Sequence, residues 1–217
     1  MKPILMFITA ISLLSCSQGN SQNGGHKEDI KVGGSCEGCE AIFESPIAFE
    51  KLLPVDTILG FIENVPKMLV TGTVFHPDGK TPAKDVVIYI YHTDREGNYP
   101  TTGKEKGWGR RHGYHRGWVK TDEKGNYAFY TFRPASYPNS NNPQHIHVTI
   151  KEPGKTAYWI DEYHFEDDPL FNSEMKNREQ KRGGSGIIKP VTATDLLTVN
   201  RNIILGMNVP GYPGGQK

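Results

Sequence analysis

Apolar residues along this chain gather in short runs of Val, Ile and aromatic side chains, divided by polar stretches bearing Gly and Pro. A sustained 3.6-residue period is almost nowhere present, so the runs predict strands rather than helices. Met68 to Phe75 reads as one strand, His76-Pro77-Asp78-Gly79 as a turn, and Val86 to Tyr91 as the next strand. Further strands are expected at Arg116 to Lys120, Tyr127 to Phe132, His145 to Ile150 and Arg201 to Leu205, with Asp122 to Asn126 as one of the turns between them. The segment Asp161 to Arg182 is charged and irregular, with one helical stretch from Ser173 to Arg182, and reads as an excursion from the sheet. Short strands at this spacing predict an all-β fold, a β-sandwich of Greek-key-like antiparallel sheets with long loops. Gly79-Lys80-Thr81 is no phosphate loop, because the preceding glycine is too distant and Pro82 follows where a helix should begin.

The chain has 217 residues, enough for one domain with a terminal extension. Its formal charge is only +1, with acidic and basic residues interspersed, so no long-range field would gather nucleic acid. The N-terminus reads as an address. Lys2 is followed by the short apolar run Ile4 to Leu14 and by Ser15, the layout of a secretory signal. Leu13-Leu14-Ser15-Cys16 resembles the bacterial lipobox, which makes Cys16 the expected lipid anchor of an exported, membrane-attached protein. The expected organisation is a signal over 1–15, a flexible tether over 16–30, an N-terminal extension over 31–66, the sandwich over 67–210 and a tail over 211–217. In an exported chain the nearby thiols Cys36 and Cys39 are expected to form a disulfide; a redox pair is the alternative.

Chemistry concentrates at His145-Ile146-His147. On a strand, residues i and i+2 project from one face, so the two imidazoles converge and suit zinc, copper, iron or nickel. His112 and His115 have helical spacing, but glycines flank them and they are expected in a solvated loop.

The stretch before the histidine pair is Arg133-Pro134-Ala135-Ser136-Tyr137-Pro138, followed by the loop Asn139 to Gln144. Strand, Arg-Pro-x-x-Tyr-Pro, loop and His-x-His together resemble the intradiol ring-cleavage dioxygenases. Val87 to Tyr99 and Arg116 to Tyr127 agree, and the resemblance runs over residues 67–210. It implies a non-haem Fe(III) cofactor held by Tyr99, Tyr137, His145 and His147. Tyr137 takes the axial, proton-accepting role opposite His147, with Tyr99 and His145 equatorial. The implied reaction cleaves a small aromatic diol with dioxygen between its two hydroxyl-bearing carbons, giving a muconate-type diacid. Two anionic phenolates suit a hard, highly charged ion, and only the ion's own charge keeps them ionised near neutral pH.

One departure stands out. The family usually carries an arginine just before the His-x-His pair, where this chain has Asn142-Pro143-Gln144. Either Arg133 or the basic loop with Arg110, Arg111 and Arg116 substitutes for it, or oxygenase activity is reduced; Arg110, Arg111, Arg133 and Asn142 are the expected substrate contacts for an anionic or polyphenolic catechol. The rival to the enzyme is an exported, non-catalytic β-sandwich that binds a ligand or metal on the same face. A homo-oligomer is compatible with either.

Overall fold

The computed structural model describes residues 28–214. The signal segment, Cys16 and most of the tether therefore lie outside the described residues, and no helix among those described is long and apolar enough to cross a membrane. Two six-stranded sheets face each other. The first runs β1 (Val55–Thr57), β5 (Asn126–Phe132), β2 (Lys67–Phe75), β11 (Leu196–Asn200) and β10 (Val191–Ala193), with β12 (Ile203–Ile204) also paired to β2. The second runs β4 (Arg116–Lys120), β3 (Val87–Tyr91), β6 (His145–Lys151), β8 (Tyr163–Phe165) and β9 (Ile187–Ile188), with β7 (Tyr158–Trp159) paired to β6.

The period of two explains the layering. Along β2 every second residue is buried, and Met68, Val70 and Val74 meet Phe129 of β5 and Ile88, Ile90, Ile146, Val148 and Ile150 of the opposite sheet. The all-β sandwich expected from the sequence is present, but its sheets are mixed rather than antiparallel. β1 with β5, β11 and β12 with β2, and β8 with β9 all pair in parallel. Long connections make this geometry available, since parallel neighbours cannot be joined by a tight turn. The strand expected at Arg201 to Leu205 is cut to Ile203–Ile204, because the chain steps past β2 at Arg201. Gly72 marks that crossing: a Cβ there would stand 1.9 Å from the Arg201 carbonyl oxygen.

Asp161 to Arg182 is not wholly an excursion, since β8 lies within it and pairs with β6. The helix there, α2 (Ser173–Asn177), is shorter than expected. Asn172 caps it by accepting the Met175 N–H, and the chain beyond is diverted because Asp161 accepts the N–H groups of Lys181 and Arg182 while Glu179 accepts that of Gly186.

β3 is buried on both faces. Ile88 and Ile90 point into the sandwich, whereas Val87 and Tyr89, with Trp118 of β4, meet Ala41, Ile42 and Leu52 of the N-terminal segment. That segment forms two 3₁₀ turns, Cys39–Glu44 and Phe49–Lys51, over the outer face of the second sheet. Glu44 fastens it by accepting from Trp108 N–H at 2.7 Å and Arg116 Nη1 at 2.7 Å.

Candidate metal centre

The centre is built where β3 ends and β6 begins, on the outer face of the second sheet. Ile146 enters the core while His145 and His147 project outward. Tyr91 pairs with His147 across the sheet and stacks on it, with ring centroids 4.3 Å apart and planes 14° apart. Tyr99 lies in the loop after β3, and Tyr137 lies in the loop between β5 and β6. Backbone and side-chain bonds lace the two loops together: Ala135 N–H donates to Asp94 O at 3.0 Å, and Thr93 Oγ1 donates to Ala135 O at 2.6 Å. Gly97 takes the left-handed φ of 84° between them, where a Cβ would meet the Ser136 carbonyl oxygen at 2.1 Å.

Four donor atoms converge as a result. The Tyr99 hydroxyl is 2.5 Å from the Tyr137 hydroxyl and 2.9 Å from His147 Nε2. Tyr137 is 3.2 Å from His147 Nε2 and 3.1 Å from His145 Nε2, and the two Nε2 atoms are 3.1 Å apart. Donors bound about 2 Å from one first-row ion stand about 3 Å from one another, so this spacing is that of a metal donor set.

Electrostatics agree with that fit. Burial, reinforced by the bond to Tyr137, pushes the Tyr99 phenol well above its ordinary range, and burial also raises Tyr137. Both phenols are thus neutral unless a cation ionises them. Burial first, then the neighbouring His147, lowers His145 to about 4. Its Nδ1 is 2.7 Å from the Pro143 carbonyl oxygen, the contact of a donor N–H, which leaves the Nε2 lone pair facing the tyrosines.

Glu162 approaches from the other side, with Oε1 2.7 Å from His147 Nδ1 and Oε2 3.6 Å from His164 Nε2. Burial opposes ionisation of Glu162, but the His147 hydrogen bond and the nearby imidazoles outweigh it and hold the carboxyl at about 2. His145, His147 and Glu162 are close enough to group as metal-binding side chains. Glu162, however, meets the ring nitrogen of His147 that points away from the tyrosines, so it stands behind the donor set rather than in it.

A protein-family model described as Dioxygenase matches residues 62–182, more than half of the chain and a span that holds all four donors. The chain belongs to the intradiol dioxygenase family. Solved structures share its fold. Catechol 1,2-dioxygenase from Acinetobacter radioresistens is 17% identical with a TM-score of 0.54, over 70% of this chain and 56% of that one. Catechol 1,2-dioxygenase from Acinetobacter sp. ADP1 is 19% identical with a TM-score of 0.52, over 76% and 65%. Hydroxyquinol 1,2-dioxygenase from Pseudomonas putida DLL-E4 is 19% identical with a TM-score of 0.51, over 74% and 63%. The chain therefore spans less than two thirds of the length of those relatives. No curated protein sequence matches it.

A cavity of about 520 Å³ opens beside the donors, lined by Tyr137, Asn142, His145, Glu162, His164 and Arg178 among others. Asn142 is the one expected substrate contact in that lining. Arg110 Nε donates to Glu105 O at 3.1 Å, and Arg111 pairs with Glu37 at 2.6 Å. Arg133 donates to Gln144 and grips Asp167 through two bonds. Arg116, the remaining cation of the basic loop, is held by Glu44.

His112 and His115 are not in a solvated loop. Both are buried, because His112 stacks on Tyr91 at 3.7 Å and bonds the Tyr89 hydroxyl at 2.9 Å, while His115 Nδ1 lies 2.7 Å from Leu59 O. The short helix α1 (Gly109–His112) carries the first of them there. Cys36 and Cys39 form a disulfide. Glu162 and Arg178 escaped the sequence reading. Glu162-Tyr163-His164 repeats the two-residue spacing of the histidine pair and was the available signal; Arg178 had none, since its place depends on how the chain turns after α2.

Proposed function

We propose that this dioxygenase holds ferric iron through Tyr99, Tyr137, His145 and His147 and opens a catechol-type ring between its two hydroxyl-bearing carbons with dioxygen, giving a muconate-type diacid. The convergence of two phenols and two imidazole Nε2 atoms carries the reading, because that donor set suits a hard trivalent ion better than a softer divalent one. Bound there, ferric iron would supply the charge that ionises both phenols and draws electron density from a coordinated catechol.

The protein's own groups then have distinct tasks. Tyr137 lines the cavity and Tyr99 does not, so Tyr137 is placed to take a proton from an incoming catechol hydroxyl while Tyr99 stays an anchor. His164, stacked on Phe171 at 4.8 Å, forms part of the cavity wall. The lining's arginine, Arg178, is paired with Glu174 at 2.5 Å, and Glu162 is ionised beside the donors. That balance favours uncharged catechols over catechol carboxylates, which need an unpaired cation.

The test is oxygen uptake by the purified protein loaded with ferric iron, supplied in turn with catechol and a catechol carboxylate. Expected are a red to burgundy tyrosinate-to-iron colour and faster uptake with catechol. Tyr137→Phe is expected to lower kcat roughly 10²- to 10⁴-fold, the range for losing a general acid–base group. A protein that stays colourless with ferric iron and consumes no oxygen would instead be a non-catalytic binding sandwich. Export with lipid attachment at Cys16 is part of the same proposal, supported by the Leu13-Leu14-Ser15-Cys16 pattern; the mass of the membrane-extracted protein, with lipid on an N-terminal Cys16, checks it.

A further inference from the structure

We infer that Glu162 is a positioning residue of the metal centre, holding His147 by its Nδ1 and strengthening its Nε2 as a donor. The inference rests on the ferric reading above. β8 pairs antiparallel with β6, with His145 opposite His164 and Ile146 opposite Tyr163. The next step of that register sets Glu162 against His147, and the 2.7 Å contact between Oε1 and Nδ1 follows.

The two constraints on the His147 ring are of different kinds. Stacking on Tyr91 fixes the plane of the ring but allows a half-turn about the Cβ–Cγ bond, which exchanges Nδ1 with Cδ2 and Nε2 with Cε1 in the same plane. A carboxylate at Nδ1 selects one of the two orientations, so Nε2 stays aimed at the tyrosine hydroxyls. The two imidazoles are also made unequal. His145 has a neutral carbonyl, Pro143 O, at its Nδ1, whereas His147 has a carboxylate, which draws the proton more strongly and makes the opposite nitrogen the better donor. A ferric ion with two tyrosinates keeps one residual positive charge, and Glu162 sets one negative charge against it. Both effects favour the ferric over the ferrous state.

The experiment compares Glu162→Gln and Glu162→Ala with the wild-type full chain. Iron affinity is read by competition with a chelator, together with the position of the tyrosinate-to-iron band and the ferric/ferrous potential. Glutamine preserves the shape and an acceptor oxygen but removes the charge. In both variants affinity is expected to fall roughly 10- to 100-fold, the usual cost of losing such a partner. The band is expected to move to longer wavelength and the potential to rise, because the ion becomes easier to reduce. Wild-type affinity, band and potential in both variants would overturn the inference. So would a lowered unfolding temperature with an unmoved band and potential, the mark of a purely structural contact. A wild-type protein that takes no iron defeats the ferric reading itself, and this inference with it.

Discussion

Two tyrosines and two histidines make up the proposed centre, and each residue type is common elsewhere in the chain; what separates them from their neighbours is the partner on the far side of each donor atom. Tyr127 and Tyr163 share a hydrogen bond as well, yet they lie in the sandwich core with no imidazole facing them. Among the histidines, His92 shows the opposite use of the same side chain. It is fully buried, with Nε2 2.6 Å from Thr131 Oγ1 and Nδ1 2.7 Å from Thr93 O, and burial lowers its pKa to about 3. The folded protein thus resists a proton that the unfolded chain accepts near pH 6.5. Stability from this group is complete above that pH and declines as pH falls toward 3. His112, lowered by burial to about 4, acts in the same direction. Urea midpoints measured between pH 7 and 4 should therefore fall, and His92→Gln should flatten the slope.

Among the elements, the turn closed by Cys36 and Cys39 has the most indirect reach. Gly38 lies against His112, His112 stacks on Tyr91, and Tyr91 stacks on His147. The disulfide closes a very small loop, for which chain entropy gives about 2 kcal/mol. Replacing both cysteines by serine should lower unfolding stability by about that amount in denaturant titrations. The same change should leave the iron colour in place, since no donor sits on the turn. The strands that carry the sandwich were legible from runs such as Val87-Ile88-Tyr89-Ile90-Tyr91, because a strand buried on both faces must be apolar throughout. β7, β9 and β10 were not, being two or three residues long and defined by the partner they meet. β11 was passed over too, and its parallel pairing with β2 is visible only once both are placed.

For the whole molecule, the centre stands outside the main core. The sandwich interior is sealed by Phe129, Ile88, Ile146 and their neighbours, while the donors occupy the outer face and its loops. Fold stability and metal chemistry should separate accordingly. Phe129→Ala is expected to cost about 3–5 kcal/mol of unfolding free energy, as large-to-small core changes do. The tyrosinate-to-iron band of the folded fraction should not move, which absorbance along a urea titration would show.

The sequence by itself determined the strand class, the turn positions and the convergence of His145 with His147, because these depend on spacing along one strand and on local backbone chemistry. It also supplied the motif on which Tyr99 and Tyr137 were assigned. Only the tertiary structure decided that the two phenols meet, that Arg110, Arg111 and Arg133 spend their charges away from the cavity, and that Glu162 stands behind His147. Each of those facts is a distance between segments far apart in the chain, fixed by strand register and by loops laced across it, and no local pattern of residues encodes such a distance.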